Sequence, residues 1–323
     1  MNLTVLVPVY NEAGSLRELH AALLGALEPT GLDFEIIFVD DGSTDGSDAV
    51  MEEIHGSDGR AKAIVFRRNF GKSAALAVGF SEAAGDVIVT MDADLQDDPR
   101  EIPRLLKKLE EGYDLVSGWK VNRKDPISKT LPSKLFNFVT AKMTGIPLHD
   151  FNCGLKAYTR RAAKSLNVYG ELHRFLPVLA YWAGFKAGEL PVTHHARKYG
   201  KTKFGASRFI NGFLDLIAVM FLTSDKSPLH FLGRVAVALM AVGVAINAYF
   251  GVTWLMGHGL RVRPLLLFGV VLIILAIQFI SMGLLGELVA STTQKRDYGV
   301  KRRVGFGPAG AGESGAEGER VSV

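Results

Sequence analysis

The sequence predicts an α/β domain on a mostly parallel sheet, followed by an interfacial helix and a two-helix membrane hairpin. Three observations carry this. Short, near-continuous apolar runs alternate with helical periods over the first two hundred residues. Two long uncharged apolar segments follow in tandem, and polar residues gather behind four separate apolar runs. Continuous apolar strands joined by crossover helices are the mark of a parallel sheet covered on both faces.

The strands are expected at 3–7, 34–39, 61–66, 86–91 and 114–117, with helices at 15–27, 45–55, 72–84 and 99–111. Beyond them, 204–223 carries Phe209, Ile210, Phe213, Leu214, Ile217, Met220 and Phe221 at helical spacing, as for a helix lying in a membrane interface. The alternative for that stretch is a core helix of the soluble domain. Val235–Met256 (22 residues) and Pro264–Gly286 (23 residues) hold no Asp, Glu, Lys or Arg. Each exceeds the roughly 20 residues that cross the bilayer hydrocarbon as a helix. Arg261 and Arg263 lie between them, whereas Lys295, Arg296, Lys301, Arg302 and Arg303 follow, so the positive-inside tendency puts both chain ends in the cytoplasm. The expected layout is a catalytic domain over 1–204, an amphipathic helix and linker over 205–228, spans at about 233–256 and 264–287 within 229–290, and a basic, then Gly-rich, disordered cytoplasmic tail over 291–323.

Composition excludes several classes. The chain has 323 residues, 48% hydrophobic, with a net charge of +4, too weak to argue for nucleic acid. Its mean hydropathy of +0.18 is high for a soluble enzyme and is explained by the two apolar segments. The lone Cys153 rules out an intrachain disulfide or a cysteine-based zinc site, and reads as a packing residue. His194 and His195 are adjacent, hence on opposite faces of a strand, and do not share a metal.

Ligands of open α/β sheets bind beyond the carboxyl ends of the strands. There this chain places Pro8 to Glu12, Asp40-Asp41-Gly42-Ser43, Arg67 to Lys72, and Asp92-Ala93-Asp94-Leu95-Gln96. A phosphate loop of the Walker type fails, because Phe66 stands where its first glycine belongs, and no Gly-x-Gly-x-x-Gly follows the first strand. Two carboxylates one residue apart at a strand end tolerate each other beside a cation. All-oxygen ligands suit Mg²⁺ or Mn²⁺, which also take substrate phosphates. A metal held by two carboxylates and a diphosphate fits departure of a nucleoside diphosphate.

These motifs, in order, resemble the inverting GT-A glycosyltransferases of family 2. Within it, the match is to the polyprenyl-phosphate branch that includes dolichol-phosphate mannose synthases. The resemblance rests on Asp40–Ser43, on Met91 to Pro99 with its Asp92-x-Asp94, on Asn69-Phe70-Gly71-Lys72, on Arg197 to Phe204 and on the terminal hairpin. It implies that Pro8, Tyr10, Glu12 and Asp41 line the nucleoside pocket, with Asp41 near the base. Asp92, Ala93, Asp94 and Gln96 would bind the donor diphosphate, the metal falling to Asp92, Asp94 and Gln96. Lys72, opening a helix, is expected beside phosphate. Lys120, Arg123, Lys134, Arg197 and Lys203 are expected at the acceptor phosphate, with lysines at 120 and 134 where many relatives carry arginine. Asp150, in His149-Asp150-Phe151-Asn152-Cys153-Gly154, is expected near the transferred sugar, beside the catalytic Asp94.

The expected partners are a nucleotide sugar, UDP- or GDP-linked, a polyprenyl phosphate and the bilayer, with a homo-oligomer left open. A processive polysaccharide synthase is the rival enzyme, disfavoured by the lack of a Gln-x-x-Arg-Trp motif and by having only two spans. A non-catalytic nucleotide-sugar-binding scaffold is the rival of another class, disfavoured by the intact Asp92–Asp94–Gln96 set.

Overall fold

The computed structural model describes residues 2–121, 133, 137–142, 144–196, 198, 228–257, 264–291, 297–306 and 320–322. The chain divides into two units, residues 1–216 with 295–323, and residues 217–294.

In the first unit, β-rich apolar runs become β1 (Leu3–Val9), β2 (Phe34–Asp40), β3 (Ala61–Phe66), β4 (Val87–Thr90), β5 (Leu115–Trp119), β6 (Lys156–Thr159) and β7 (Ala187–Pro191). The connecting helices are α1 (Ala13–Leu27), α2 (Ser47–Ser57), α3 (Lys72–Glu82), α4 (Ile102–Glu110), α5 (Arg160–Ser165) and α6 (Leu176–Trp182). Two further strands, β8 (Asp297–Val304) and β9 (Arg320–Ser322), complete a sheet of order β7-β5-β6-β4-β1-β2-β3-β8-β9. One face buries Val5, Val7, Phe38 and Val89 against Leu16, Leu19 and Leu23 of α1 and Leu105 of α4.

Pairing direction decides which loops meet. β3, β2, β1 and β4 are mutually parallel, so their carboxyl ends share one edge, with Val9 beside Asp40 and Leu6 beside Thr90. β6 enters between β4 and β5 and runs antiparallel to both, pairing Lys156 with Thr90 on one side and with Ser117 on the other. The start of β6 therefore lies at the same edge as the ends of β4 and β5. The sheet is parallel at its centre and mixed toward its sides.

The tail departs from expectation. Residues 297–304, in the basic part of the tail where no strand was expected, form β8, antiparallel to β3. Its charges are matched locally: Arg303 pairs with Glu82 of α3 at 3.3 Å, and Arg302 and Lys301 face Asp48 of α2, each at 3.9 Å. Three consecutive basic residues, Lys301, Arg302 and Arg303, break the apolar face of Tyr298, Val300 and Val304, so no clean strand pattern stands out there.

The second unit is a helical hairpin, α7 (Pro228–Leu255) and α8 (Pro264–Ser291). Leu232–Leu255 and Pro264–Gly286 are long and apolar enough to cross a membrane, at mean hydropathies of 2.1 and 2.8. Ala236 and Ala276 are buried, while Val237, Val244, Trp254, Ile274 and Leu284 point outward. Leaving so many large apolar side chains uncovered is unfavourable in water and neutral in lipid, which points to membrane association. The expected interfacial helix at 205–228 lies, but for its last residue, outside the described residues.

Candidate active site

The β1 and β2 ends are fastened by short hydrogen bonds. Asn11, at φ +54, donates its N–H to Ser43 Oγ at 2.8 Å, and its Oδ1 accepts from Thr44 N–H at 2.9 Å. An asparagine tolerates this left-handed geometry because its side chain bonds locally. Tyr10 is exposed beside it, Pro8 half-buried, and the Glu12 N–H donates to Ser47 Oγ. Gly42 sits so close to the chain at Arg68 that an added Cβ would lie 2.4 Å from the Arg68 carbonyl carbon. That approach brings the β2 loop against the β3 loop.

Asp41, expected near the base, is buried and faces the protein. Its Oδ1 accepts from Phe70 N–H at 2.6 Å, and its Oδ2 from Gly71 N–H at 2.9 Å. Burial pushes its carboxyl up to about 6, against the pull of those two N–H groups. In this structure Asp41 thus fixes the loop that delivers Lys72.

Lys72, the first residue of α3, forms an ion pair with Asp92 through Nζ and Oδ1. Burial works against the Asp92 charge, but Lys72, Lys120 and Lys156 more than offset it and hold the carboxyl well below its usual range. Gly154 forms the wall behind: a Cβ there would lie 2.6 Å from the Asp92 carboxyl carbon. The wall is braced by Thr90 Oγ1, donating to the Gly154 carbonyl at 2.8 Å. Ala93 is buried, and Asp94 Oδ1 accepts the Gln96 N–H at 3.2 Å.

Gln96 is stitched to the segment after β7. Its carbonyl accepts the His195 N–H at 2.8 Å, and its side-chain Nε2 donates to the His195 carbonyl at 3.4 Å. Around it Asp97 bridges to His194, Asp98 accepts from His195 Nε2 at 3.0 Å, and buried Glu101 accepts from Thr193. The Asp-rich run is thus a clamp on 193–195, the approach to Arg197 and Lys203.

Lys120, expected at the acceptor phosphate, is drawn inward onto Asp97 at 2.8 Å. Burial opposes its charge, yet Asp97 outweighs that and raises its pKa. Asp150 is buried, its Oδ1 accepting the Asn152 N–H at 3.0 Å. Cys153 is buried and its thiol is pushed up to about 12, which fits packing rather than nucleophilic use. Arg123, Lys134, Arg197 and Lys203 lie outside the described residues. Lys156 and Asp97 were not singled out by sequence reasoning. The one available signal was a lysine interrupting the apolar run Leu155 to Tyr158.

No three His, Cys, Asp or Glu side chains converge as a metal cage among the described residues. Asp92 and Asp94 at one strand end are a sparse oxygen set, which suits an ion that keeps waters and substrate phosphates as its other ligands. The residues therefore fit Mg²⁺ or Mn²⁺.

Residues 4–166 match the family described as glycosyl transferase family 2. The chain belongs to that family. Among its curated relatives, the dodecaprenyl-phosphate galacturonate synthase of Rhizobium johnstonii is 39% identical over 306 residues, covering 92% of this chain and 90% of the relative. The undecaprenyl-phosphate 4-deoxy-4-formamido-L-arabinose transferase of Pseudomonas paraeruginosa is 37% identical over 292 residues, with 88% and 84% covered. Among solved structures, glucosyl-3-phosphoglycerate synthase from Mycobacterium tuberculosis with phosphoglyceric acid superposes at a TM-score of 0.54 and 20% identity, covering 67% of this chain and 80% of that one. The same enzyme with Mn²⁺, UDP-glucose and phosphoglyceric acid gives 0.51 at 19% identity, with the same coverage. At that identity the likeness establishes the GT-A fold for this family 2 glycosyltransferase, and with it the expected fold class.

Proposed function

We propose that this family 2 glycosyltransferase moves one sugar, with inversion, from a UDP- or GDP-linked donor to a polyprenyl phosphate at the cytoplasmic membrane face, releasing the nucleoside diphosphate. The observation that carries this is the reach of the similarity. The polyprenyl-phosphate sugar transferases named above align over 292 to 306 residues, well past the 4–166 family match and through the apolar helices. Both relatives' names specify a polyprenyl-phosphate acceptor, and a membrane hairpin in the same chain as the catalytic unit suits a lipid whose phosphate lies at headgroup level.

Asp92 and Asp94, with Gln96, would hold the divalent cation, which when bound supplies charge stabilisation to the departing diphosphate. Lys72, at the helix start beside Asp92, adds a cation where phosphate charge builds up. No strong base is required, because a phosphate monoester is already ionised near neutral pH and is its own nucleophile. The protein's task is alignment of that oxygen with the sugar's anomeric carbon. Asp150, buried and held by the Asn152 N–H, suits shaping the sugar side of the cleft. Arg123, Lys134, Arg197 and Lys203 are assigned to the acceptor phosphate on the motif resemblance. Lys120 is assigned to bracing that side through Asp97.

The test is a screen of UDP- and GDP-sugars with undecaprenyl phosphate in detergent or vesicles, the product glycolipid identified by mass. A monoglycosylated lipid phosphate with stoichiometric nucleoside diphosphate is expected. A growing polysaccharide, or donor turnover with no lipid product, would overturn it.

A further inference from the structure

Asp92 is surrounded by lysines that differ in freedom. Lys72 pairs with it directly, and the two side chains are 33% and 34% exposed. Lys72 opens α3, where an ammonium faces the positive end of the helix dipole and an anion would be welcome. Lys156 is only 3% exposed. It lies on β6 between β4 and β5, its ammonium donating to the Cys153 carbonyl and acting electrostatically on both Asp92 and Asp150. Burial of such a cation is costly unless neighbouring anions repay it. Gly154 stands close behind the Asp92 carboxylate, where an added Cβ would fall 2.6 Å from the carboxyl carbon, so that side leaves little room to retreat. Only Lys72 has somewhere to go.

Resting on the metal-dependent glycosyltransferase reading, we propose that two of the three lysines acting on Asp92 have different duties, the third, Lys120, being committed to Asp97. Lys72 is exchangeable, yielding the carboxylate to the divalent cation and moving onto the donor diphosphate, while Lys156 is fixed and balances charge throughout. A divalent cation and the Lys72 ammonium compete for one carboxylate, so bare metal binds against a standing competitor. The diphosphate relieves the competition by giving Lys72 a new partner. Metal and donor then bind in mutual support without any large movement of the fold. Lys156 is a positioning residue: it keeps the wall Cys153–Gly154 in place and the acidic cluster compensated while Lys72 is away.

The experiment uses the full chain in detergent. Mn²⁺ binding without nucleotide is read by electron paramagnetic resonance, and UDP or GDP binding at fixed Mn²⁺ by calorimetry. For Lys72→Met, Mn²⁺ alone should bind about threefold or more tighter, while the nucleoside diphosphate binds about tenfold weaker. For Lys156→Met, Mn²⁺ alone should also tighten, with nucleotide affinity falling far less. Unchanged or weaker Mn²⁺ binding by Lys72→Met would overturn the exchange, as would equal nucleotide losses in the two variants. If thermal unfolding shows that Lys156→Met does not fold, the opposite signs expected of Lys72→Met decide alone. Wild-type protein that binds neither nucleotide with Mn²⁺ would instead remove the donor reading itself, and the inference with it.

Discussion

Lys120 reaches Asp97 across 2.8 Å, and the Asp97 side chain has no solvent exposure at all. Among the described residues, neither Asp97 oxygen has a hydrogen-bond partner beyond that ion-pair contact. The pair ties the end of β5 to the loop that follows Asp92 and Asp94, the carboxylates proposed to hold the metal.

Removing the lysine alone should strand a buried carboxylate. Lys120→Met is expected to lose about 3–5 kcal/mol of stability, the range for breaking one side of a buried pair. Lys120→Met combined with Asp97→Leu should recover most of the loss, because no charge is left behind. Thermal unfolding checks both. A Lys120→Met protein with unchanged unfolding and a raised KM for polyprenyl phosphate would restore Lys120 to the acceptor site.

Asp94→Asn should abolish transfer. A neutral amide is a poor ligand for Mg²⁺ or Mn²⁺, and the cation's contribution is largest when the diphosphate departs. The barrier should rise by at least about 3 kcal/mol, roughly a hundredfold in rate. Excess EDTA should have a comparable effect on the wild type. Full turnover by the variant, or by the wild type in EDTA, would contradict the assignment.

A pH dependence follows from Asp41. Its folded value of about 6 lies above the ordinary 3.8, so the folded state binds the proton more tightly than the unfolded chain. Asp41 therefore favours folding most at low pH, and that contribution is lost as pH rises from about 4 to 6. Other carboxylates, Asp98 among them, are held low by partners and act in the opposite direction at lower pH. The comparison that isolates Asp41 is wild type against Asp41→Asn. The stability difference should shift in favour of the variant between those pH values and stay flat above them. A difference independent of pH over that window would show the carboxyl to be ordinary.

The strand ends were legible because each chemistry-bearing cluster follows an apolar run: Asp40 closes β2, and Asp92 comes two residues after β4 ends at Thr90. What escaped depends on pairing across long separations. Lys156 reaches the site because β6 inserts antiparallel beside β4, although Thr90 and Lys156 stand 66 positions apart in sequence. The lysine that interrupts the apolar run Leu155–Tyr158 is the one local sign, and it does not tell which strands flank it. Lys120 reads in the sequence as an acceptor-phosphate contact and Asp97 as one more acid of its run, yet the two form a buried pair. Similarly, the basic residues after α8 read as a topology signal, yet Arg303 and Arg302 are engaged with Glu82, Asp48 and Glu52.

That engagement bears on membrane topology. β8 follows α8 in the chain and pairs with β3, which precedes α7, so the segments flanking the hairpin belong to one sheet. Strands of one sheet lie in one compartment, and two crossings between them satisfy that condition. The charge asymmetry of Lys295, Arg296, Lys301, Arg302 and Arg303 against Arg261 and Arg263 predicts, by the positive-inside tendency, that this compartment is the cytoplasm. Cysteine labelling reads this directly in a Cys153→Ser background. Cys153 is buried with its thiol raised to about 12, so it should react little even in the wild type. Gly259→Cys, between the spans, should label with an impermeant maleimide added to intact cells. Ser291→Cys, at the end of α8, should label only after permeabilisation. Labelling of both from outside would break the hairpin, and the reverse pattern would place the sheet, with its Asp92–Asp94 site, on the face that cytoplasmic nucleotide sugars do not reach.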